Sequence, residues 1–146
     1  MKINIGIGLD NIIFGMSQDD VKSIIGKPDK ITEAEEFDNI IYYYNKLLIK
    51  TKFDKDEDYR LYSIDVYNPE ALIFNQKMIY KDKREVLDIL NLNGYKQLSY
   101  DDYGSFDTVF CEEIWSTFMF EFDRLISIEF SPLFKDNDII IWPPLG

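Results

Sequence analysis

The chain has 146 residues and a net charge of −11 at pH 7, from 16 basic and 27 acidic side chains. This charge disfavours nucleic acids and anionic membranes as partners, because binding to phosphate groups requires clustered lysine and arginine, and no stretch reaches the ~20 apolar residues that span a bilayer. The sequence is 46% hydrophobic and 16% aromatic, which predicts a globular protein with a buried core and much β-sheet.

The first predicted helix begins after Ser17. Ser17 and Asp20 have the spacing of a capping box, and Gly26 is typical of a helix end. The apolar residues between them recur at helical spacing, namely Val21, Ile24 and Ile25. An acid-rich segment at residues 30–38 is predicted to be a loop, and three strands are expected after it, at residues 39–44, 46–54 and 60–69.

The second half of the sequence has the same order of elements. Asp82 and Glu85 predict the start of a second helix, and a polar segment at residues 96–106 is predicted to be a loop. Strands are expected at residues 107–113, 115–123 and 124–132. The run RLISIEF at the start of the last strand closely matches RLYSIDV at residues 60–66, which indicates that a unit was duplicated.

These elements predict an α+β fold class: a tandem repeat of a helix plus a three-stranded antiparallel meander, forming one sheet with helices on one face. We expect residues 1–146 to form a single domain built from two similar halves, about residues 10–70 and 75–135. Two small sheets joined edge to edge bury more surface and leave fewer open edges than either does alone. The C-terminal segment, residues 136–146, is predicted to add an edge strand at residues 139–142.

Alternation of side chains along the strands predicts which residues face the helices. This set comprises Tyr62, Ile64, Val66, Phe118, Phe120, Phe122, Ile126, Ile128 and Phe130. Leu61 and Leu125 are predicted to lie on the opposite, uncovered face. A mixture of tyrosine, methionine and charged residues there fits either a plain solvated surface or a binding surface.

The candidate partner-binding residues come from this uncovered face and from the acidic loops, which include residues 33–38 and 101–103. They are Tyr42, Tyr44, Lys50, Lys52, Asp65, Tyr67, Asp101, Asp102, Tyr103, Glu112, Met119, Glu121 and Glu129. Tyrosine and methionine supply contact area, and the acids are expected to steer or pair with lysine and arginine of a basic partner.

The sequence offers little for catalysis. It contains no histidine and a single cysteine, Cys111, so it lacks the commonest general base and zinc ligand and cannot form an internal disulfide. Cys111 lies within a predicted strand and is expected to be a small buried hydrophobic residue. We therefore predict no enzyme activity, no metal and no cofactor. The absence of a cysteine framework and of a signal-peptide pattern predicts a cytoplasmic protein.

The segment IIFGMSQDDVKSIIGKPD at residues 12–29 runs from an apolar strand through F-G-M-S into a short helix that ends in G-x-P-D. It resembles the tandem helix-plus-sheet units of β-lactamase-inhibitor-protein-like domains, and also looks like the related small lipoproteins of the outer-membrane barrel-assembly machinery. The second half has Tyr80, Lys81 and Asp82 in place of G-M-S and lacks the G-x-P. The resemblance implies a protein-binding module whose exposed sheet face takes a partner.

Those lipoproteins carry a leader and an acylated cysteine, and inhibitors of secreted enzymes usually carry disulfides. A small, acidic, cysteine-poor chain without these features looks instead like a bacterial immunity protein that neutralises a cognate toxin, an inference by analogy of fold. We therefore expect a non-catalytic immunity or inhibitor protein with a basic toxin or enzyme as its partner. The alternatives are a carrier of a small ligand or lipid, a solubility-only structural domain of an envelope or secretion system, and a metal- or carboxylate-dependent hydrolase.

Overall fold

The structure is dominated by antiparallel strands. The computed structural model describes residues 1–34, 38–136 and 138–145, of which 46% are in strands and 17% in helices. The helices are α1 (Gln18–Ile25) and α2 (Lys83–Leu92), with 3-10 turns at Lys55–Glu57 and Glu112–Ile114. The strands are β1 (Ile3–Asn4), β2 (Gly8–Leu9), β3 (Ile12–Ile13), β4 (Lys30–Ala34), β5 (Asn39–Tyr44), β6 (Ile49–Asp54), β7 (Arg60–Val66), β8 (Leu72–Ile73), β9 (Gln76–Lys77), β10 (Leu98–Asp102), β11 (Asp107–Cys111), β12 (Ser116–Glu121), β13 (Arg124–Phe130), β14 (Leu133–Lys135) and β15 (Ile139–Ile141).

Eight of these strands form the main sheet, in the order β10-β11-β12-β13-β7-β6-β5-β4. Each neighbouring pair is antiparallel. Strands β4–β7 and β10–β13 are thus two groups of four consecutive strands, and they meet where β7 pairs with β13. The seam between them sets Asp65 opposite Glu129 and Val66 opposite Ile128. Strands β1–β3 form a separate small sheet, and β8–β9 and β14–β15 form two hairpins.

The predicted fold class was wrong. The molecule is mostly β, with two α-helices in the part of the chain that is described, and it is not a tandem repeat of a helix plus a three-stranded meander. Each strand group has four members because β4 and β10 form within segments that were predicted to be loops. Both are edge strands of the main sheet, and most of their described side chains are polar and exposed, so they lack the apolar alternation that marks a strand buried on one face.

Two further expectations need correction at the C-terminus and in the helices. The predicted C-terminal strand forms as β15, but it pairs with β14 and not with an edge of the main sheet. Helix α1 has the predicted capping box, with the backbone N–H of Asp20 donating to Ser17 Oγ at 3.1 Å and the backbone N–H of Ser17 donating to Asp20 Oδ2 at 3.2 Å. Helix α2 begins after Asp82 without a hydrogen bond from that side chain to the helix end.

The hydrophobic core lies against one face of the main sheet. Both helices contribute to it, because Val21 of α1 and Val86 and Leu90 of α2 belong to the same buried cluster as the sheet residues. The N-terminal sheet β1–β3 contributes the remaining cover. Its members and neighbours in this cluster are Ile3, Leu9, Ile12 and Phe14.

Two β-bulges change which residues face this core. In the β6–β7 pair, Lys52 lies opposite Ser63 but Phe53 lies opposite Leu61, so Tyr62 is an extra residue. A bulge between Met119 and Phe120 has the same effect in the β12–β13 pair. The predicted orientations were therefore wrong for four residues: Leu61 and Leu125 are fully buried, whereas Tyr62 and Ile126 are only half-buried.

Phe122 was also predicted to face the core, and this was wrong. Glu121 pairs with Arg124, so Phe122 and Asp123 form the two-residue turn between β12 and β13. Both have positive φ, 50° and 61°, and the Phe122 side chain is 96% exposed. Phe122 is the last residue of an alternating pattern that predicts a strand, but in the structure it lies at the tip of a hairpin.

Candidate functional site

The face of the main sheet opposite the core, called the open face below, is the candidate functional site. Neither α-helix packs on it, since their buried side chains lie in the core on the other face. The strand register places one continuous row of half-buried side chains across its five central strands. This row is Tyr43, Lys50, Asp65, Glu129 and Thr117.

Two lysines of β6, Lys50 within this row and Lys52 beside it, contact side chains of neighbouring strands. Lys52 Nζ donates to Glu129 Oε2 at 2.8 Å, which links β6 to β13 across β7. Lys50 Nζ lies 5.4 Å from the centre of the Tyr43 ring and 5.8 Å from that of Tyr67, within the range of a cation–π interaction. The open face thus already holds one cation against aromatic rings and another against a carboxylate.

Asp65 is the acid of the row without such a partner. Its Oδ1 atom is buried and accepts no hydrogen bond, and no salt bridge joins it to a cation among residues 1–34, 38–136 and 138–145. The pKa of Asp65 is raised to about 6, first by burial and then by the charge of Glu129, against the opposing effect of Lys52 and Lys50. Asp65 is therefore a poorly satisfied acceptor on a central strand of the main sheet.

Two depressions open onto this face. The first, towards Lys52, has a volume of about 270 Å³ and is bordered by Tyr62, Phe110, Trp115 and Glu129. The second, towards Tyr67, has a volume of about 460 Å³. We call the second one the Tyr67 pocket, and its walls are formed by Asp65, Tyr67, Tyr80, Met119, Glu121 and Ile126, together with Lys50 and Ser127.

The structure brings together seven of the sequence-predicted residues on the open face. They are Lys50, Lys52, Asp65, Tyr67, Met119, Glu121 and Glu129. Asp101 lies on the same face but at the edge strand, in register with Thr108 and Met119. Asp102 and Tyr103 are exposed at the end of β10, and Glu112 is exposed on the 3-10 turn after β11. Of the acidic loop at residues 33–38, residues 35–37 lie outside the described residues.

Tyr42 and Tyr44 do not lie on the open face, which corrects their predicted placement. They are 1% and 4% exposed and belong to the core. The Tyr42 hydroxyl donates to Gln18 Oε1 at 2.6 Å, and the Tyr44 hydroxyl donates to the carbonyl oxygen of Gly26 at 3.0 Å. Burial raises the pKa of Tyr44 to about 12. Tyr43, between them, is the tyrosine on the open face; every residue from Ile40 to Tyr44 is apolar or aromatic, so alternation alone did not distinguish the two faces.

Several open-face residues were missed by the sequence reasoning. Ile126 faces the pocket because of the bulge in β13, and Phe110 and Trp115 border the first depression. Tyr80, with φ at 76°, reaches the pocket from the segment before α2. A bulge and a turn leave no periodic signal in a sequence, so nothing in the pattern pointed to Tyr80 or Ile126.

The remaining chemistry of the chain is sparse. Cys111 is fully buried, as predicted, and burial raises the pKa of its thiol, which makes it a weak nucleophile. Within the described residues, no three or more acidic or cysteine side chains are arranged to hold a metal ion. No helix in the same ranges is both long enough and apolar enough to cross a bilayer.

Comparisons with known proteins give a family and a similar fold. The family model described as "Domain of unknown function (DUF7738)" matches residues 3–104. A solved structure, an extracellular protein containing a SCP domain from Bacillus anthracis str. Ames, is similar with a TM-score of 0.56 and 14% sequence identity. The match covers 90% of this chain and 48% of that one, so the chain spans about half the length of that protein and shares its fold there. No curated protein matches the chain.

Proposed function

We propose that this chain, which belongs to the DUF7738 family, has a non-catalytic protein-binding function. It exercises this function through the open face of the main sheet. One observation carries the proposal. The central strands present half-buried tyrosine, phenylalanine and methionine side chains together with charged groups, on a face that neither α-helix covers. A sheet that needs only solubility places polar residues on its free face, whereas aromatic and methionine side chains are enriched in protein interfaces.

The shape of the open face favours a protein partner over a small ligand. Pockets for small molecules surround most of the ligand surface with apolar walls. Both depressions on the open face are shallow and open to solvent, and each is bordered by charged as well as aromatic groups. Such a surface suits the side chains of a second protein, which need only partial enclosure. The alternative function of a carrier for a small ligand or lipid is thus less favoured than protein binding.

The charge of the chain supports a basic partner. A net charge of −11 accelerates association with a positively charged protein and opposes binding to anionic surfaces. We further propose that binding inhibits this partner, which is the role of an immunity protein that the sequence suggested by analogy of fold. A cytoplasmic location stays a prediction.

A pair of matched substitutions tests the use of the open face. Met119→Lys places a charge in the wall of the Tyr67 pocket on the open face, and Leu92→Lys makes the same change at an exposed position on α2. Partners isolated by cross-linking in the natural host are purified and titrated calorimetrically. We expect Met119→Lys to weaken binding by about tenfold or more and Leu92→Lys to leave it unchanged. Equal affinities for both variants, or the recovery of no stoichiometric protein, contradict the proposal.

A further inference from the structure

We propose that the Tyr67 pocket binds the guanidinium group of an arginine side chain from the partner, an inference that rests on the proposed protein-binding function. The pocket combines two acids, two tyrosine rings and two flexible apolar side chains around one opening. Arginine presents a flat cation at the end of an apolar stem, and it both stacks on aromatic rings and donates to carboxylates. Each part of that side chain has a counterpart in the pocket.

The carboxylates supply the charge. Asp65 lies on the floor next to Glu129, and Glu121 lies on the rim of the pocket. Neither Asp65 nor Glu121 forms a salt bridge in the described ranges, whereas Glu129 is paired with Lys52. Two carboxylates without a cation in contact border one opening. Asp65 is in register with Glu129 and Thr117, and Thr117 lies four residues before Glu121 on β12, so a guanidinium group donates to one of the two acids while the other adds to the negative potential of the pocket.

The walls supply the contact area. Tyr80 is 55% exposed, although its backbone is held by a hydrogen bond from its N–H to the carbonyl oxygen of Leu125 at 2.7 Å. Its backbone is therefore fixed at the pocket edge, whereas its ring gains little burial from folding. Met119 and Ile126 are half-buried opposite it. An inserted arginine stem would cover these apolar groups, which are otherwise in contact with water.

Lys50 shows that the pocket environment accepts a cation. Its ammonium group lies over the Tyr67 ring, which is one of the rings that we assign to arginine. Lys50 therefore occupies part of the site and repels an incoming positive charge, so its replacement by an uncharged side chain of similar length is expected to strengthen arginine binding. Removing any lysine increases the general attraction for a cation, so Lys96→Met, at an exposed position outside the pocket, is the matched control and is expected to strengthen arginine binding much less than Lys50→Met does.

A second copy of this chain is a poorer occupant. Two molecules that each carry a net charge of −11 repel one another. An anionic lipid headgroup or phosphate is opposed by the two acids for the same reason. A separate basic protein remains as the occupant whose chemistry fits.

The test uses N-acetyl-arginine methylamide as the probe and N-acetyl-citrulline methylamide as its uncharged isostere. Methyl NMR spectra of the full chain are recorded during titration, with the Met119 methyl group as the reporter and the other methionines as internal references. We expect the arginine derivative to shift Met119 in a saturable way and the citrulline derivative to bind about tenfold more weakly or not at all.

Three variants make the assignment specific. Glu121→Gln is expected to weaken binding of the arginine derivative about threefold to fivefold, since an exposed charge contributes modestly. Glu85→Gln removes the same charge from an exposed position on α2, outside the pocket, and is expected to have no effect. Lys50→Met is expected to strengthen binding. Equal binding of the two derivatives, equal effects of the two glutamate variants, or the absence of a saturable shift overturns the assignment.

The outcomes also separate this inference from the proposed function. If the arginine derivative does not bind while Met119→Lys still weakens binding of the protein partner, protein binding by the open face is supported and the arginine-binding proposal is rejected. If the arginine derivative binds as described while Met119→Lys leaves the partner's affinity unchanged, the pocket recognises a guanidinium group, but the proposed function is rejected and with it the assignment of that group to the partner.

Discussion

At the scale of single residues, Asp65 affects both the binding properties of the open face and the stability of the fold. It lies between Lys50 and Glu129 in the strand register, and its buried Oδ1 accepts no hydrogen bond. A fold under selection for stability alone would replace such a group, because a partly satisfied buried acid costs free energy when it ionises. Retaining a carboxylate here is consistent with a role in binding a cation.

This position predicts a pH dependence of stability. Burial raises the pKa of Asp65 to about 6, above the value of about 3.9 in an unfolded chain. Between these values the folded state binds more protons than the unfolded state, so the Asp65 contribution to the free energy of unfolding falls as the pH rises from about 4 to 6 and stays low above that. Asp65→Asn removes this dependence.

We expect Asp65→Asn to gain stability relative to the wild type between pH 4 and pH 7, by on the order of 2 kcal/mol. Urea denaturation of both proteins at the two pH values measures the difference. The titration of the Asp65 carboxyl carbon, followed by NMR, gives its pKa directly. A difference in stability that stays constant with pH, or a carboxyl group that titrates near 4, contradicts the prediction.

At the scale of elements, the hairpin between β12 and β13 has a turn whose residues do not favour the backbone conformation that they adopt. The two-residue turn Phe122–Asp123 has positive φ at both positions, a conformation that favours Asn-Gly. Phenylalanine there pays the steric cost of the left-handed region, about 1–2 kcal/mol, and its exposed ring gains no burial. The turn is therefore less stable than the strands that it joins.

Replacement of Phe122–Asp123 by Asn-Gly is expected to stabilise the protein by about 1 kcal/mol, which raises the melting temperature by a few degrees. Differential scanning calorimetry measures the change. Phe122→Ala is the control, since it removes the ring without supplying a residue that prefers positive φ, and we expect it to give little or no gain. A melting temperature that is unchanged or lower with Asn-Gly shows that the phenylalanine ring contributes to the fold.

The elements that the sequence predicted well are those with a periodic or capping signal. Strand β5 begins and ends as predicted, and α1 has its capping box because Ser17 and Asp20 alone determine it. Strands β4 and β10 were missed because edge strands carry polar residues on both faces. The bulges in β7 and β13 were missed because one inserted residue shifts the alternation without changing composition. These bulges and Tyr80 shape the Tyr67 pocket. Its acids, Lys50, Tyr67 and Met119 were therefore predictable, whereas Tyr80 and Ile126 were not.

At the scale of the whole molecule, the seam between β7 and β13 decides whether the two strand groups behave as one unit. The ion pair between Lys52 and Glu129 spans this seam, but it is partly exposed to solvent and contributes less than about 1 kcal/mol. The buried side chains of the seam contribute more to the free energy of unfolding than this ion pair does. Val66 and Phe130 are at most 1% exposed, and the Phe130 ring packs edge-to-face on Phe14 at 5.4 Å.

Phe130→Ala is therefore expected to destabilise the whole molecule by about 3–5 kcal/mol, because it opens a cavity between the seam and the N-terminal segment. Lys52→Gln, which removes the ion pair but no buried surface, is expected to cost less than about 1 kcal/mol. Both values come from urea denaturation followed by circular dichroism.

Hydrogen exchange locates the effect of Phe130→Ala. If residues 1–146 unfold as a single domain, amides in β5 and in β11 lose protection together, although β5 lies three strands away from Phe130 in the sheet. Two local unfolding units give a different pattern, in which protection falls in β11–β13 and is retained in β5 and β6. That pattern would show that the strand groups are separate folding units, and it would mean that a partner bound across the seam stabilises the molecule by joining them.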